Sequence, residues 1–141
     1  MSSLKLIHTL QAALAVCLGA SAGALARWLL GLWLNHPGAW LPWGTLAANL
    51  IGGYIIGVLA GVFLMHPGIN PMWRLLLVTG LLGGLTTFSS FSAEVVEMMV
   101  DGRWSQALSA TLLHVGGSFA LTYAGLRSAR WFLATIHWAT P

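Results

Sequence analysis

The sequence predicts an all-α membrane protein with four transmembrane helices, the third of them interrupted at mid-membrane. Hydrophobic residues make up 57% of the 141 residues and charged residues only 6%, with a mean hydropathy of +0.81. An ordinary soluble domain has about 25% charged residues. The chain also divides into four apolar blocks, each close to the roughly 20 residues that a helix needs to cross a bilayer. These two observations exclude a soluble domain.

The four blocks form one predicted domain, residues 1–141, with spans at about residues 9–32, 44–65, 75–100 and 104–126. The connectors are short and contain Pro and Gly or form a bare turn, as in NHPGAWLP, HPGINPM and DGR. The tryptophans fall near block ends, where indole rings favour the headgroup region. Small residues in the first block resemble a signal-peptide cleavage site, but the apolar pattern continues past them. Four spans place both termini on one side of the membrane.

Glycines recur at helical spacing in three of the four spans. Close backbone contact at such stripes supplies much of the association between helices in lipid. Because four helices offer few interior faces, stripes on three of them favour a homodimer or larger assembly over packing within one copy. The glycines concerned are Gly19, Gly23, Gly53, Gly57, Gly61, Gly116, Gly117 and Gly125.

Polar residues inside the first two spans have two interpretations each. Arg27 lies four residues after Gly23 on the same face; it either snorkels to the interface or fixes loop or dimer geometry. Asn49 follows Thr45 by four residues, so both lie on one face of the second span. A mid-span Asn serves as a clasp between helices or donates two hydrogen bonds to an anion.

The third span changes character at GGLTTFSSFS, which runs from Gly83 to Ser92. The apolar run 75–85, which ends in Gly83, Gly84 and Leu85, makes a helix of ~16 Å, roughly half the hydrocarbon thickness. The hydroxyl residues after it, preceded by these glycines, favour a break. A break at mid-membrane is tolerated only where the freed backbone groups are buried or line a cavity or ion site. Glu94 and Glu97, three residues apart, are interpreted as an ordinary acidic face at a helix end.

The fourth span carries a polar stripe, which predicts a polar track along one face of the helix. Its members follow one another at helical spacing: Thr111, His114, Ser118 and Thr122.

The basic residues predict membrane anchoring and exclude a nucleic-acid partner. The net charge is +3, but the six Lys and Arg residues are scattered and make no patch. Four lie on the side of the termini and two towards the other side, a bias that favours cytoplasmic termini only weakly. Insertion of copies in both directions stays open. The residues are Lys5, Arg74, Arg127 and Arg130 on the first side, and Arg27 and Arg103 on the second.

Three segments together resemble the Fluc (CrcB) family of microbial fluoride channels: GALARW with Arg27, GTLAANLIGGYIIG with Asn49, and GLLGGLTTFSSFSAE. The resemblance runs from about Gly19 to Leu126. It implies a channel in the cell (inner) membrane that exports fluoride passively and protects against fluoride toxicity. It also implies a dual-topology homodimer, two antiparallel copies with two pores along their interface.

The resemblance also implies roles for particular residues. A structural sodium ion, not transported, would bind backbone carbonyls of Gly83 and Thr86 from both copies at the dimer centre, and Arg27 would be structural. Ser90 replaces the second Thr of the usual TTFSTF, and His114 stands where a small polar residue is expected. The implied fluoride pore comprises Asn49, Phe88, Phe91 and Ser118, with Thr45 and His114 as further contacts.

The chemistry of such a pore is intelligible from the residues. Fluoride is small and tightly hydrated, so a selective path replaces its water with amide and hydroxyl donors. The ring edges of Phe88 and Phe91 are weakly positive and line a passage without trapping the ion.

Three other classes compete with this prediction. A small proton-coupled multidrug exporter also has four spans, but it needs a carboxylate in the first span, and the first acid here is Glu94. A non-transporting membrane assembly protein accounts for the glycine stripes but not for the polar break. An enzyme is least favoured, because no acid, base and nucleophile converge in these spans.

Overall fold

The computed structural model describes residues 3–138, which are helical apart from short connections. The all-α prediction is confirmed. The third span is divided into α3, residues 71–85, and α4. Within α3, Pro71–Arg74 and Gly83–Leu85 are α-helical and Leu75–Leu82 between them is π-helical. The other helices are α1 (Ser3–Leu34), α2 (Trp43–Met65), α4 (Phe88–Val100) and α5 (Trp104–Trp138).

The two terminal helices are longer than the predicted spans. α1 begins six residues before residue 9, and α5 continues well past residue 126. Three helical segments of the described chain are long and apolar enough to cross a membrane: Ser3–Leu34, Trp43–Met65 and Pro71–Val100. α5 is long enough but less apolar, because its polar stripe and glycines lower its hydropathy. Its role as a fourth span stays a prediction.

The chain between α3 and α4 is extended at two residues. Thr86 has φ −82° and ψ 152°, and Thr87 has φ −149° and ψ 116°. Thr87 caps α4, since its hydroxyl oxygen accepts from the Ser90 backbone N–H at 3.1 Å. Leu82 and Leu85 pack with Ala48 in a buried cluster that holds the end of α3 against α2. The interruption is therefore anchored to the second helix.

The glycine stripes form close contacts between helices of the same chain. In the pair α1 and α3, a Cβ added at Gly23 would collide with the Leu81 carbonyl oxygen, and one at Gly84 with the Ala20 carbonyl oxygen. Backbones in such contact leave no room for side chains. These glycines therefore join α1 to α3 of the same copy.

The pair α2 and α5 is joined in the same way. A Cβ at Gly57 would collide with the Thr122 carbonyl oxygen, and one at Gly125 with the Tyr54 carbonyl oxygen. Only Gly116 among the stripe glycines has open space around it. The argument from glycine stripes to a second copy was therefore wrong, because neighbouring helices of one chain occupy them. A homodimer stays a prediction on other grounds.

Changing Gly57 to alanine is expected to destabilise the fold by about 1–3 kcal/mol, because the two backbones must separate to admit the methyl group. Thermal unfolding in detergent, followed by the loss of a monodisperse species, measures this. Gly116→Ala is the matched control, since nothing lies within 4 Å of a Cβ there and alanine favours a helix by roughly 1 kcal/mol over glycine. Equal melting temperatures for the two variants would contradict the packing described.

Candidate functional site

An open groove of about 610 Å³ lies where α2, α3, α4 and α5 meet. Apolar side chains make most of its walls, and Phe88 and Phe119 at its surface are 78% and 73% exposed. Seven of the predicted site residues line it: Asn49, Gly83, Thr86, Phe88, Phe91, His114 and Ser118. These residues come from all four elements, so the groove exists only in the folded chain.

Asn49 bridges α2 to the interruption of the third span. Its Oδ1 accepts from the Thr87 backbone N–H at 2.7 Å, and its Nδ2 donates to the Thr87 carbonyl oxygen at 3.0 Å. Nδ2 also lies 3.0 Å from Nδ1 of His114. Of the two interpretations of Asn49, the clasp between helices describes these contacts.

The aromatic residues of the groove form one stack. The His114 ring lies 4.5 Å from the Phe91 ring, centroid to centroid, at 25° between planes. Phe88 meets Phe91 edge on, at 5.6 Å and 65°. Phe91 and His114 are 8% and 5% exposed. The inner part of the wall is therefore packed tightly, whereas Phe88 stands at its open side.

Hydrogen bonds divide the residues of the predicted polar track into two pairs. The hydroxyls of Thr111 and Thr122 donate to carbonyl oxygens, those of Ala107 and Gly53, each at 2.9 Å. Ser118 makes no side-chain hydrogen bond to any residue that the structure describes. His114 and Ser118, one turn apart, are the members of the stripe that present unshared polar atoms to the groove.

Thr45 does not reach the groove. It lines a separate cavity of about 230 Å³ on the other side of the extended segment, together with Arg27 and Glu94. The Thr45 hydroxyl donates to Oε1 of Glu94 at 2.5 Å. Thr87 lines both cavities, which shows why two residues one turn apart on α2 face different spaces.

Arg27 joins α1 to the end of α3. Its Nε donates to the Gly84 carbonyl oxygen at 3.1 Å, close to the point where the helix is interrupted. Of the two interpretations of Arg27, this bond matches the fixing of local geometry, since it ties the side chain to the backbone of α3.

The sequence interpretation missed Glu94. It is not part of a solvated acidic face: only Glu97 is exposed, and Oε2 of Glu94 is buried without a hydrogen-bond partner among residues 3–138. The spacing of Thr87, Ser90 and Glu94, three and then four residues apart, marks one face of a helix. That stripe is the signal that could have placed Glu94 inside.

A cation at this site would depend on backbone oxygens. No group of three or more His, Cys, Asp or Glu side chains able to hold a metal occurs among the described residues. The N–H of Thr87, which a continuous helix would direct to the Gly83 carbonyl, goes to Asn49. The N–H of Ser90, which would serve Thr86 in the same way, goes to the Thr87 hydroxyl. Both oxygens predicted to bind sodium thus lose their helical donors, and they fit a hard cation.

Comparison with known proteins agrees with the resemblance seen in the sequence. Residues 14–126 match the family described as CrcB-like protein, Camphor Resistance (CrcB). A protein of Paracidovorax citrulli is 60% identical over 84% of this chain and 94% of its own length. One of Albidiferax ferrireducens is 60% identical over 86% and 92%, and one of Variovorax paradoxus 59% identical over 83% and 93%. All three relatives are named fluoride-specific ion channel FluC. The chain, with its membrane-spanning helices, belongs to the CrcB family.

Proposed function

We propose that this protein is a fluoride-selective channel of the inner membrane, which lets fluoride leave the cytoplasm passively and so protects the cell. One observation carries the proposal: a chain 60% identical to proteins named fluoride-specific channels has a groove where aromatic rings flank an amide, an imidazole and a hydroxyl. The imidazole and the hydroxyl, as donors that bond no other described residue, replace the water of a small anion. The channel is a conduit and not an enzyme.

The groove supports an antiparallel homodimer. Phe88 and Phe119 stand largely exposed beside it, and Gly83 and Thr86, whose carbonyls lose their helical donors, line its wall. In hydrocarbon each unpaired backbone group costs several kcal/mol, so the groove needs a cover. A second copy inserted in the opposite direction, with the third helix of each broken at mid-membrane, closes two grooves into two pores along the interface.

The pore of this proposal follows the groove wall. Phe88 stands at its open side, Phe91 and His114 form the packed wall, and Ser118 supplies a hydroxyl that bonds no other described residue. Asn49, whose amide is bonded to Thr87 and His114, holds this wall in place. Thr45 is left out, because it faces the smaller cavity with Glu94.

A structural sodium ion fits the interruption. Gly83 and Thr86 of each copy would supply four backbone oxygens at the twofold axis, and the ion stays in place. When bound, sodium supplies a fixed positive charge beside the pores.

Fluoride efflux from loaded liposomes tests the function. Purified protein is expected to release fluoride and to retain chloride, without coupling to a proton gradient. Proton-coupled efflux of an organic cation would favour the exporter. No transport of any tested solute would favour an assembly protein.

Dual topology is expected to give partial labelling of a cysteine placed at either membrane face, at the start of α5 or in the connection between α2 and α3. Ser105→Cys and Gly68→Cys, each with Cys17→Ser, should label to roughly half in intact cells with a membrane-impermeant thiol reagent, since the charge bias is weak. Gly102 is unsuitable, because its φ of +73° would strain a cysteine. Full labelling at one position and none at the other would contradict dual topology.

A further inference from the structure

We propose that His114 is the positioning residue for the Asn49 amide: as the neutral imidazole with its proton on Nε2, it accepts a hydrogen bond that keeps Asn49 on the interruption of the third helix. This inference rests on the proposed function, because it assigns His114 a part in the same groove. It is carried by the contacts of three residues.

The orientation of the Asn49 amide follows from its contacts with Thr87. The Thr87 N–H can only donate and lies 2.7 Å from Oδ1; the Thr87 carbonyl can only accept and lies 3.0 Å from Nδ2. Exchanging the oxygen and nitrogen would set donor against donor and acceptor against acceptor. One of the two Asn49 amide protons is therefore held by the Thr87 carbonyl.

The tautomer of His114 follows from the second amide proton. Nδ2 of Asn49 lies 3.0 Å from Nδ1 of His114, and an amide nitrogen is a donor only. Nδ1 must therefore carry a lone pair, and the ring proton must lie on Nε2. The ring is 5% exposed and stacked on Phe91, which opposes a turn that would exchange its two nitrogens.

These assignments give Asn49 a different role in the groove from that of His114 and Ser118. Both Asn49 protons are committed to protein, so Asn49 fixes the extended segment. The donors left open to the groove are the Nε2–H of His114 and the hydroxyl of Ser118, neither of which bonds another described residue. An anion at Nε2–H would make Nδ1 a stronger acceptor towards Asn49, because hydrogen bonds in a chain polarise one another. Occupancy of the groove thereby tightens the clasp.

Three substitutions separate positioning from direct contact with the anion. His114→Asn places an amide oxygen near the position of Nδ1 and removes Nε2–H. His114→Gln reaches the position of Nε2 but leaves Asn49 without its acceptor, and His114→Leu supplies neither. His66→Leu is the matched control, since it makes the same change at an exposed histidine outside the groove.

Fluoride flux in liposomes is expected to fall least in His114→Asn, which keeps an acceptor for Asn49 and loses only Nε2–H. It should fall about tenfold or more in His114→Leu and His114→Gln, because each leaves a buried donor unpaired. Size-exclusion chromatography checks that each variant keeps the wild-type assembly. Activity retained by the glutamine variant and lost by the asparagine variant would overturn positioning in favour of contact through Nε2. Wild-type flux in the leucine variant would overturn it as well.

Nitrogen NMR of isotope-labelled protein in lipid tests the same inference without a transport measurement. The spectrum of His114 should show an unprotonated Nδ1 and a protonated Nε2. The Asn49 amide protons should exchange slowly with solvent in the wild type and in His114→Asn, and at least tenfold faster in His114→Leu. A proton on Nδ1, or equal exchange in the three proteins, would overturn the proposal. A wild type that carries no fluoride would defeat the proposed function, while these spectra would still decide the role of His114.

Discussion

Replacing Asn49 with aspartate is expected to lower fluoride flux about a hundredfold or more, because it combines unpaired acceptors with a half-buried negative charge. The change removes the donor that holds the Thr87 carbonyl oxygen and Nδ1 of His114. It also sets carboxylate oxygens against both acceptors and places a like charge beside the path of the anion, where screening is weak. Flux from fluoride-loaded liposomes measures the loss.

Asn70→Asp is the matched control for this change. Asn70 is exposed, and its Oδ1 accepts from the Met72 backbone N–H at 2.9 Å. Aspartate supplies the same acceptor, so flux should stay at the wild-type level. An Asn49→Asp protein that assembles normally and conducts like the wild type would show that the clasp at Thr87 has no part in transport.

Removing sodium is expected to abolish fluoride flux, and restoring it should recover flux. Without a cation, the freed carbonyls of Gly83 and Thr86 in the two copies face one another across the proposed interface. Each unsatisfied group costs several kcal/mol in hydrocarbon. Replacing sodium with a large organic cation on both sides, after dialysis long enough for a buried ion to leave, tests this.

Two further readouts accompany the sodium experiment. The sodium content of the purified protein should approach one ion per two chains and fall during the dialysis. Sodium itself should not move across the liposome membrane at any stage. Full flux from protein shown to contain no sodium would refute the structural ion and leave the interruption in need of another partner.

Seven residues that line the groove could be named from the sequence. Glycines followed by hydroxyl residues are poor at continuing a helix, and the two threonines of this segment are extended in the fold. Asn49 was recognised because an amide inside a span needs a partner. What its partner is could not be predicted, since Thr87 and His114 lie 38 and 65 residues away along the chain.

The sequence interpretation did not foresee where Thr45 and Glu94 lie. Thr45 was predicted as a further pore contact and Glu94 as part of an ordinary acidic face at a helix end, whereas the two residues hydrogen-bond each other in a cavity apart from the groove. Helical spacing tells which residues share a face of their own helix, but not which neighbour covers that face. The extended segment at Thr87 divides one face of α2 between two spaces.

The sequence by itself determined that the protein is helical and lies in a membrane, because so apolar a chain can satisfy its backbone in lipid only within helices or a closed barrel. It also determined the place of the interruption, since that depends on local backbone preference. Only the tertiary structure decided that the glycine stripes bind helices of one copy and that His114 meets Asn49. The contact of His114 with Asn49 depends on the register between α2 and α5, which run side by side with Gly53 against Ser118 and Gly61 against Ala129. The glycine contacts depend on that register and on the register of α1 against α3, where Gly23 meets Leu81. Register is set by close packing of whole helices, and no local pattern of residues encodes it.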